Sequence, residues 1–165
     1  MTQIDAYSII LYTHKSESGM MEYDVDADNP KIKKFLISLM PSFIEQLGLV
    51  NSRRAVLVKV TRDLEYDHQG ATMNIEVADC MMVLIKPPKR ITPFTMMEMA
   101  TTLAHEMVHV KQLAKGQMKF LPNEARIWKG KRYSKKTKYL DMPWELDAFS
   151  KQEILLRRAI EIDTK

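Results

Sequence analysis

Apolar residues recur with two different periods along this chain, and the change of period separates a first part that contains strands from a helical second part. Residues 6–12 alternate weakly and are predicted to form a strand. Asn29-Pro30 is typical of a helix start, with Asn as the cap and Pro in the first turn. Pro41 is expected to kink or split this helix. Its predicted buried face consists of Ile32, Phe35, Leu36, Leu39, Phe43 and Leu47.

The middle of the chain has the composition and spacing of strands. Residues 55–60 are rich in β-branched side chains, and residues 71–77 alternate between apolar and polar, which is the period of a half-buried strand. Asp79 is predicted to turn the chain into a third apolar run, residues 81–85. These segments predict a small, mainly antiparallel sheet.

The second half is predicted to form two long helices, residues 94–115 and 143–162, with a basic, irregular segment over 116–142 between them. No repeat and no linker rich in Gly, Ser or Pro divides the chain. The sequence therefore predicts an α+β fold in a single domain that spans residues 1–165.

The helix at 94–115 carries a polar stripe although most of its other positions are apolar. A helix that is apolar nearly all round is largely buried, and unsatisfied polar groups in such a place cost about 1–3 kcal/mol each. These side chains must therefore be hydrogen-bonded or must bind something. The stripe consists of Glu98, Thr101, Thr102, His105, His109 and Gln112.

The stripe contains the pattern His105-Glu106-Met107-Val108-His109. Histidines at positions i and i+4 lie one turn apart on the same helical face, as two ligands of one metal ion must. Glu106 lies about a quarter-turn away, where it can reach a water on the metal without being a ligand. This spacing predicts a zinc site with Glu106 as the general base.

Catalytic zinc usually takes three protein ligands, and no histidine follows His109. The third ligand is therefore expected to be a downstream carboxylate, and Glu145 is preferred because Pro143 starts its helix and an apolar stripe continues from it. Asp147 falls on the opposite, solvated face. The competing candidates are Glu124, Asp141, Asp147 and Glu153.

Composition restricts the other possibilities. The chain has 45% hydrophobic and 28% charged residues, and a net charge of +4, as a soluble globular domain does. Cys80 is the single cysteine, so no internal disulfide and no cysteine zinc ribbon can form. Neither a signal peptide nor an apolar span of about 20 residues is present, and a reducing cytoplasm is the simplest expectation. The basic run at 129–138 would suit phosphates, or a solvated loop.

Two motifs together carry a family resemblance. The stretch from Thr102 to Gln112, then Trp128 and Gly130, and then Pro143-Trp144-Glu145-Leu146-Asp147-Ala148-Phe149, resemble small metallopeptidases of bacteriophages and bacteria that are similar to minimal gluzincins. The resemblance covers about residues 95–155. It implies a zincin-like fold, His105, His109 and Glu145 as zinc ligands, and the host cytoplasm as the location if a phage encodes the chain. SprT-like proteases are also similar, but they use a third histidine and often a cysteine ribbon, which this chain lacks.

The resemblance implies a hydrolase that cleaves peptide bonds. Gluzincin-type sites usually add a Tyr or His beside the developing oxyanion, and Tyr133 and Tyr139 are both candidates. An extended peptide substrate would bind an exposed sheet edge, formed by residues 81–85 or 71–77. Two alternatives stay open: a zinc-stabilised binding module without turnover, and a nucleic-acid-associated protein that uses the basic run.

Overall fold

The computed structural model describes residues 20–64, 67–75 and 79–163. The strand predicted at 6–12 lies outside these residues. Three helices and seven strands are formed in the described part of the chain, together with short 3-10 turns at Pro122–Glu124 and Tyr139–Asp141. In chain order the elements are β1 (Tyr23–Asp26), α1 (Pro30–Gln46), β2 (Ala55–Val60), β3 (Gly70–Ile75), β4 (Cys80–Ile85), α2 (Pro93–Ala114), β5 (Met118–Phe120), β6 (Arg126–Trp128), β7 (Lys131–Tyr133) and α3 (Pro143–Asp163).

The main sheet has the strand order β1-β2-β4-β3. β1 and β2 pair in parallel, β2 and β4 also pair in parallel, and β3 runs antiparallel to β4. The expected mainly antiparallel arrangement is therefore wrong for this sheet. α1 connects β1 to β2 as a crossover and so returns the chain in the same direction. β3 then runs in the opposite direction on the outer side of β4, so that β4 returns parallel to β2. The α+β class itself is confirmed.

The sheet order also decides which strand is free to bind another chain. β4 pairs on both sides and is buried along its whole length, so residues 81–85 are not an edge. β3 forms the edge on the side of α2. Of the two predicted edges, the one at 71–77 is confirmed for residues 70–75.

α1 begins as the sequence predicts. The Asn29 side chain accepts hydrogen bonds from the backbone N–H groups of Lys31 and Ile32, at 2.9 and 3.3 Å. The expected break does not occur, because Pro41 lies inside one continuous helix. Its side chain points to solvent, so the missing N–H is the main consequence.

The segment 116–142 was predicted to be irregular, and this is wrong. It folds into a second, antiparallel sheet of β5, β6 and β7. Three-residue strands are too short for an alternating pattern to be visible in the sequence. Met118 and Trp128 face the core, whereas Lys119 and Arg132 flank Ile127 on the outer face. We call this unit the basic ribbon, since residues 115–138 hold nine Lys and Arg residues against one acidic residue, Glu124.

α2 lies between the main sheet and α3, and its residues form the centre of the hydrophobic core. Thr92 caps its first turn in a reciprocal arrangement with Thr95. Along the described ranges, no helix is both long enough and apolar enough to span a bilayer.

Replacement of Pro41 by Ala should stabilise the protein. The structure places Pro41 at an exposed position inside α1, where Pro costs about 3 kcal/mol relative to Ala. In a domain of this size about 1 kcal/mol corresponds to a shift of roughly 2–4 °C. We expect Pro41→Ala to raise the Tm by several degrees in thermal unfolding, and Lys34→Ala, also exposed on α1, to change it little. A lower Tm for Pro41→Ala would contradict this account.

Candidate metal centre

The two histidines of α2 point to the same place. His105 and His109 are 8% and 6% exposed, and their Nε2 atoms lie 3.2 Å apart. One helical turn separates their backbones, and the rings meet edge to face with centroids at 4.8 Å. The spacing in the sequence has thus produced a pair of convergent imidazole nitrogens.

Glu145 brings a third atom to the same point. It lies in the first turn of α3 and is 7% exposed, and its Oε2 is 3.1 Å from His105 Nε2 and 3.3 Å from His109 Nε2. With zinc–ligand bonds of about 2.0–2.1 Å, the ligand atoms of a tetrahedral site lie about 3.3–3.4 Å apart. The three atoms have nearly this spacing, and the donor set of two imidazoles and one carboxylate suits zinc.

Two glutamine side chains orient the histidines. Gln112 Oε1 lies 2.8 Å from His109 Nδ1, and Gln152 Oε1 lies 2.8 Å from His105 Nδ1. Gln112 is itself fixed, because its amide group donates to the Trp144 carbonyl oxygen and to Asp147 Oδ2, both at 3.0 Å. His109 must therefore donate from Nδ1, which leaves the Nε2 lone pair free for a metal.

This network corrects two expectations about α3. Asp147 was predicted to be solvated, but its side chain is only 20% exposed and accepts from Gln112 and Lys151. Phe149, in the apolar stripe that continues from Glu145, was predicted to face the core, but it is half-exposed and its ring lies against His105, with centroids 4.7 Å apart. Gln112 and Gln152 received no role from the sequence. Gln112 belongs to the polar stripe of α2 and Gln152 to the stripe that continues from Glu145, but their hydrogen-bond partners could not be predicted.

The convergence of these atoms has an electrostatic consequence. His105 Nε2, His109 Nε2 and Glu145 Oε2 are three buried acceptors that face one another, and their lone pairs repel unless a positive charge lies between them. Burial would lower the pKa of His109, but the hydrogen bond to Glu145 and the charge of Glu106 raise it. A single proton can bridge only one pair of the three atoms, whereas a cation serves all of them.

Glu106 is buried beside the cluster but is not part of it. It is 6% exposed, and Thr72 on β3 donates a hydrogen bond of 2.6 Å to its Oε2. Burial raises the pKa of the Glu106 carboxyl, while the neighbouring His109 and the Thr72 hydroxyl act in the opposite direction. A carboxylate with a raised pKa next to a metal site is suited to accept a proton near neutral pH.

The two tyrosines proposed for oxyanion support lie in different environments. The Tyr139 hydroxyl donates to Glu145 Oε2 at 3.0 Å, and burial together with the charge of Glu145 raises the pKa of this phenol well above its usual value. Tyr133 packs edge to face on Trp144, with centroids 5.6 Å apart. Of the two tyrosines, Tyr139 lines the cavity that opens over His105 and Glu106, and Tyr133 does not.

A cavity of about 450 Å³ opens over His105 and Glu106. Its walls come from four parts of the fold: the segment before and at the start of β3, the middle of α2, the 3-10 turn that begins at Tyr139, and the middle of α3. Its other lining residues include His68, Gly70, Thr102, Tyr139, Phe149 and Gln152. The cavity therefore joins the candidate metal centre to the exposed edge strand.

Other carboxylates lie away from the cluster. Glu124 is exposed and its Oε2 is 3.8 Å from Lys135 Nζ, while Asp141 and Glu153 are exposed. Within the described ranges the only grouping of side chains suited to a metal is His105, His109 and Glu145. Arg126, which sequence analysis missed, stacks over the Trp144 ring at 5.0 Å and adds positive charge near Glu145 and Glu106.

Comparisons with protein-family models, with curated proteins and with solved structures find no match to this chain. The similarity to gluzincins therefore stays a prediction from the two motifs.

Removal of Glu145 should weaken metal binding far more than removal of Glu124. Glu145→Ala deletes one of three convergent atoms, and even the loss of groups outside the ligand set costs about 10–100-fold in affinity. We expect at least about tenfold weaker zinc binding in competition titrations with a chromophoric chelator. Glu124→Ala is the matched control, since the Glu124 carboxylate is exposed and pairs with Lys135 at 3.8 Å, away from the cluster. Equal affinities for both variants would contradict Glu145 as a ligand.

Proposed function

We propose that this protein is a zinc-dependent metallopeptidase. The observation that carries the proposal is the convergence of His105, His109 and Glu145 at 3.1–3.3 Å, with Glu106 held beside them by a separate contact. A purely structural site needs no base there. The cavity that opens over His105 and Glu106 supports access for a substrate.

A bound zinc ion would supply an activated water and polarise a substrate carbonyl. The side chains of the protein do the remaining work. His105, His109 and Glu145 would hold the ion, and Gln112 and Gln152 would keep the two imidazoles in the required tautomer. Glu106 would accept the proton of the attacking water and pass it to the leaving amine.

The same geometry supports a way of binding the substrate. β3 is an edge strand, and its first residue, Gly70, lines the cavity. An extended peptide would add to this edge through backbone hydrogen bonds and so pass over Glu106. Tyr139 also lines the cavity, and its hydroxyl, which donates to Glu145 Oε2 in the structure, would donate to the oxygen of the scissile carbonyl.

The two alternatives from the sequence make different demands. A zinc-stabilised binding module accounts for the metal ligands but gives no role to Glu106 or to the cavity. Nucleic-acid binding would use the basic ribbon, whose outward cations are not among the residues that line the cavity. It does not account for the buried cluster. Peptide hydrolysis is the function that uses all of these features.

Glu106→Gln should abolish most turnover and retain the metal. Gln can still accept the hydrogen bond from Thr72, so the fold and about one zinc per chain should persist, whereas the proton acceptor is lost. We expect cleavage of a peptide library to fall by about 10²–10⁴-fold.

Glu98→Gln is the control for this experiment, because Glu98 is exposed on the same helix. Full activity of the Glu106→Gln protein would rule out the proposed mechanism. Loss of activity in both variants would indicate damage to α2 rather than loss of a base.

Zinc removal should destabilise the folded protein. An ion that binds only the native state at 100 times its Kd adds about 2.7 kcal/mol, which corresponds to roughly 5–11 °C in a domain of this size. We expect a chelator to lower the Tm by this order in differential scanning calorimetry. Glu145→Ala should show a much smaller response to the chelator. A wild-type Tm that does not change would contradict a metal site in the core.

A further inference from the structure

The edge strand β3 presents alternate side chains to two different surroundings. Ala71 and Ile75 pack with an apolar cluster on the far face of the sheet. Gly70 and Thr72 lie on the opposite face, and both meet Glu106 of α2. Thr72, a polar position of this alternating strand, thus faces Glu106.

Thr72 makes two contacts with the same residue. Its Oγ1 lies 2.6 Å from Glu106 Oε2 and 3.2 Å from the Glu106 backbone oxygen. A hydroxyl has one proton to donate, and the shorter distance assigns that proton to the carboxylate. Hydrogen bonds to an ionised acceptor are short and roughly twice as strong as neutral ones. The hydroxyl therefore restricts the rotation of this carboxylate.

Gly70 contributes by having no side chain. A Cβ at this position would lie 2.8 Å from Glu106 Oε1, 2.9 Å from Glu106 Cγ and 2.7 Å from Thr102 Cγ2, all closer than such atoms approach in proteins. Any larger residue would displace Glu106 or move the strand away from α2. Both carboxylate oxygens of Glu106 are thus next to β3, one at Gly70 and one at Thr72.

We infer that Thr72 is a positioning residue for Glu106, and that Gly70 permits the close approach that this contact requires. The inference rests on the proposed peptidase function. A general base must be held within a fraction of an ångström of its productive position, and this needs support from residues outside the reacting groups. Here the support comes from the strand that would also bind the substrate.

A positioning role differs from a purely structural one in its kinetic signature. Thr72→Val keeps the shape of the side chain and removes the hydroxyl. We expect kcat to fall about 10–100-fold, with KM within about twofold and one zinc per chain retained. Thr72→Ser restores the hydroxyl and should recover most of kcat. Thr61→Val is the matched control, since the Thr61 hydroxyl accepts a hydrogen bond from the nearby Asp63 N–H and lies outside the site.

Three results would overturn the inference. They are an unchanged kcat in Thr72→Val, a loss that falls on KM or zinc content instead of kcat, and a failure of Thr72→Ser to recover activity.

The role of Gly70 has its own test. Gly70→Ala should lower kcat, and Gly70→Ala combined with Thr102→Ser should not restore it, because the second change removes only the clash at 2.7 Å and leaves the contacts with Glu106. Full recovery in the double variant would assign the space at Gly70 to Thr102 and would contradict its role toward Glu106.

A measurement that does not depend on activity tests the contact itself. Thr72→Val should lower the Tm by about 3–6 °C in the wild-type background, and by less than half of that in a Glu106→Ala background, since the partner is then absent. Equal losses in both backgrounds would show that Thr72 does not act through Glu106. A wild-type protein that binds zinc but has no turnover would contradict the proposed function and the catalytic role of Thr72. The Tm cycle would then report a structural contact alone.

Discussion

The main constraint on this structure is the mutual repulsion of three buried acceptor atoms. A positive charge between them offsets this repulsion. His105, His109 and Glu145 place their lone pairs on one point inside the fold, and two of these residues are on α2 while the third is on α3. The packing of α2 against α3 therefore determines how closely the three atoms approach one another. Apolar contacts alone bring the helices together, but they do not determine where the polar atoms of the interface meet.

The surrounding hydrogen bonds fix the orientation of the side chains at this point. Gln112 links His109 to the backbone of Trp144, so the start of α3 is fixed relative to α2 by the same side chain that sets the histidine tautomer. Glu106 projects toward the main sheet instead, where the Thr72 hydroxyl donates a hydrogen bond to its carboxylate. The two histidines and Glu106 are thus held by different neighbouring side chains.

The sequence predicted the parts of this arrangement that depend on local spacing. The i and i+4 histidines, the Pro143 helix start and the apolar stripe after Glu145 are properties of single helices, and they were sufficient to place the three candidate ligands together. Contacts between distant segments had no such signal. The parallel pairing of β1 with β2 depends on the path of α1, and the Thr72 contact depends on the sheet order, so neither follows from a local period.

The segment between His109 and Glu145 forms a loop whose two ends meet at the candidate metal centre. Thirty-five residues separate His109 from Glu145, and they include the whole basic ribbon. With the ends of this loop tied at one point, lengthening it costs little, because doubling the length of a flexible loop adds only about 0.6 kcal/mol. The inward residues Met118 and Trp128 must be kept for the core, while the outer face is free to change. The outer face of the basic ribbon is accordingly the part of this fold whose sequence can change during evolution without moving His105, His109 and Glu145.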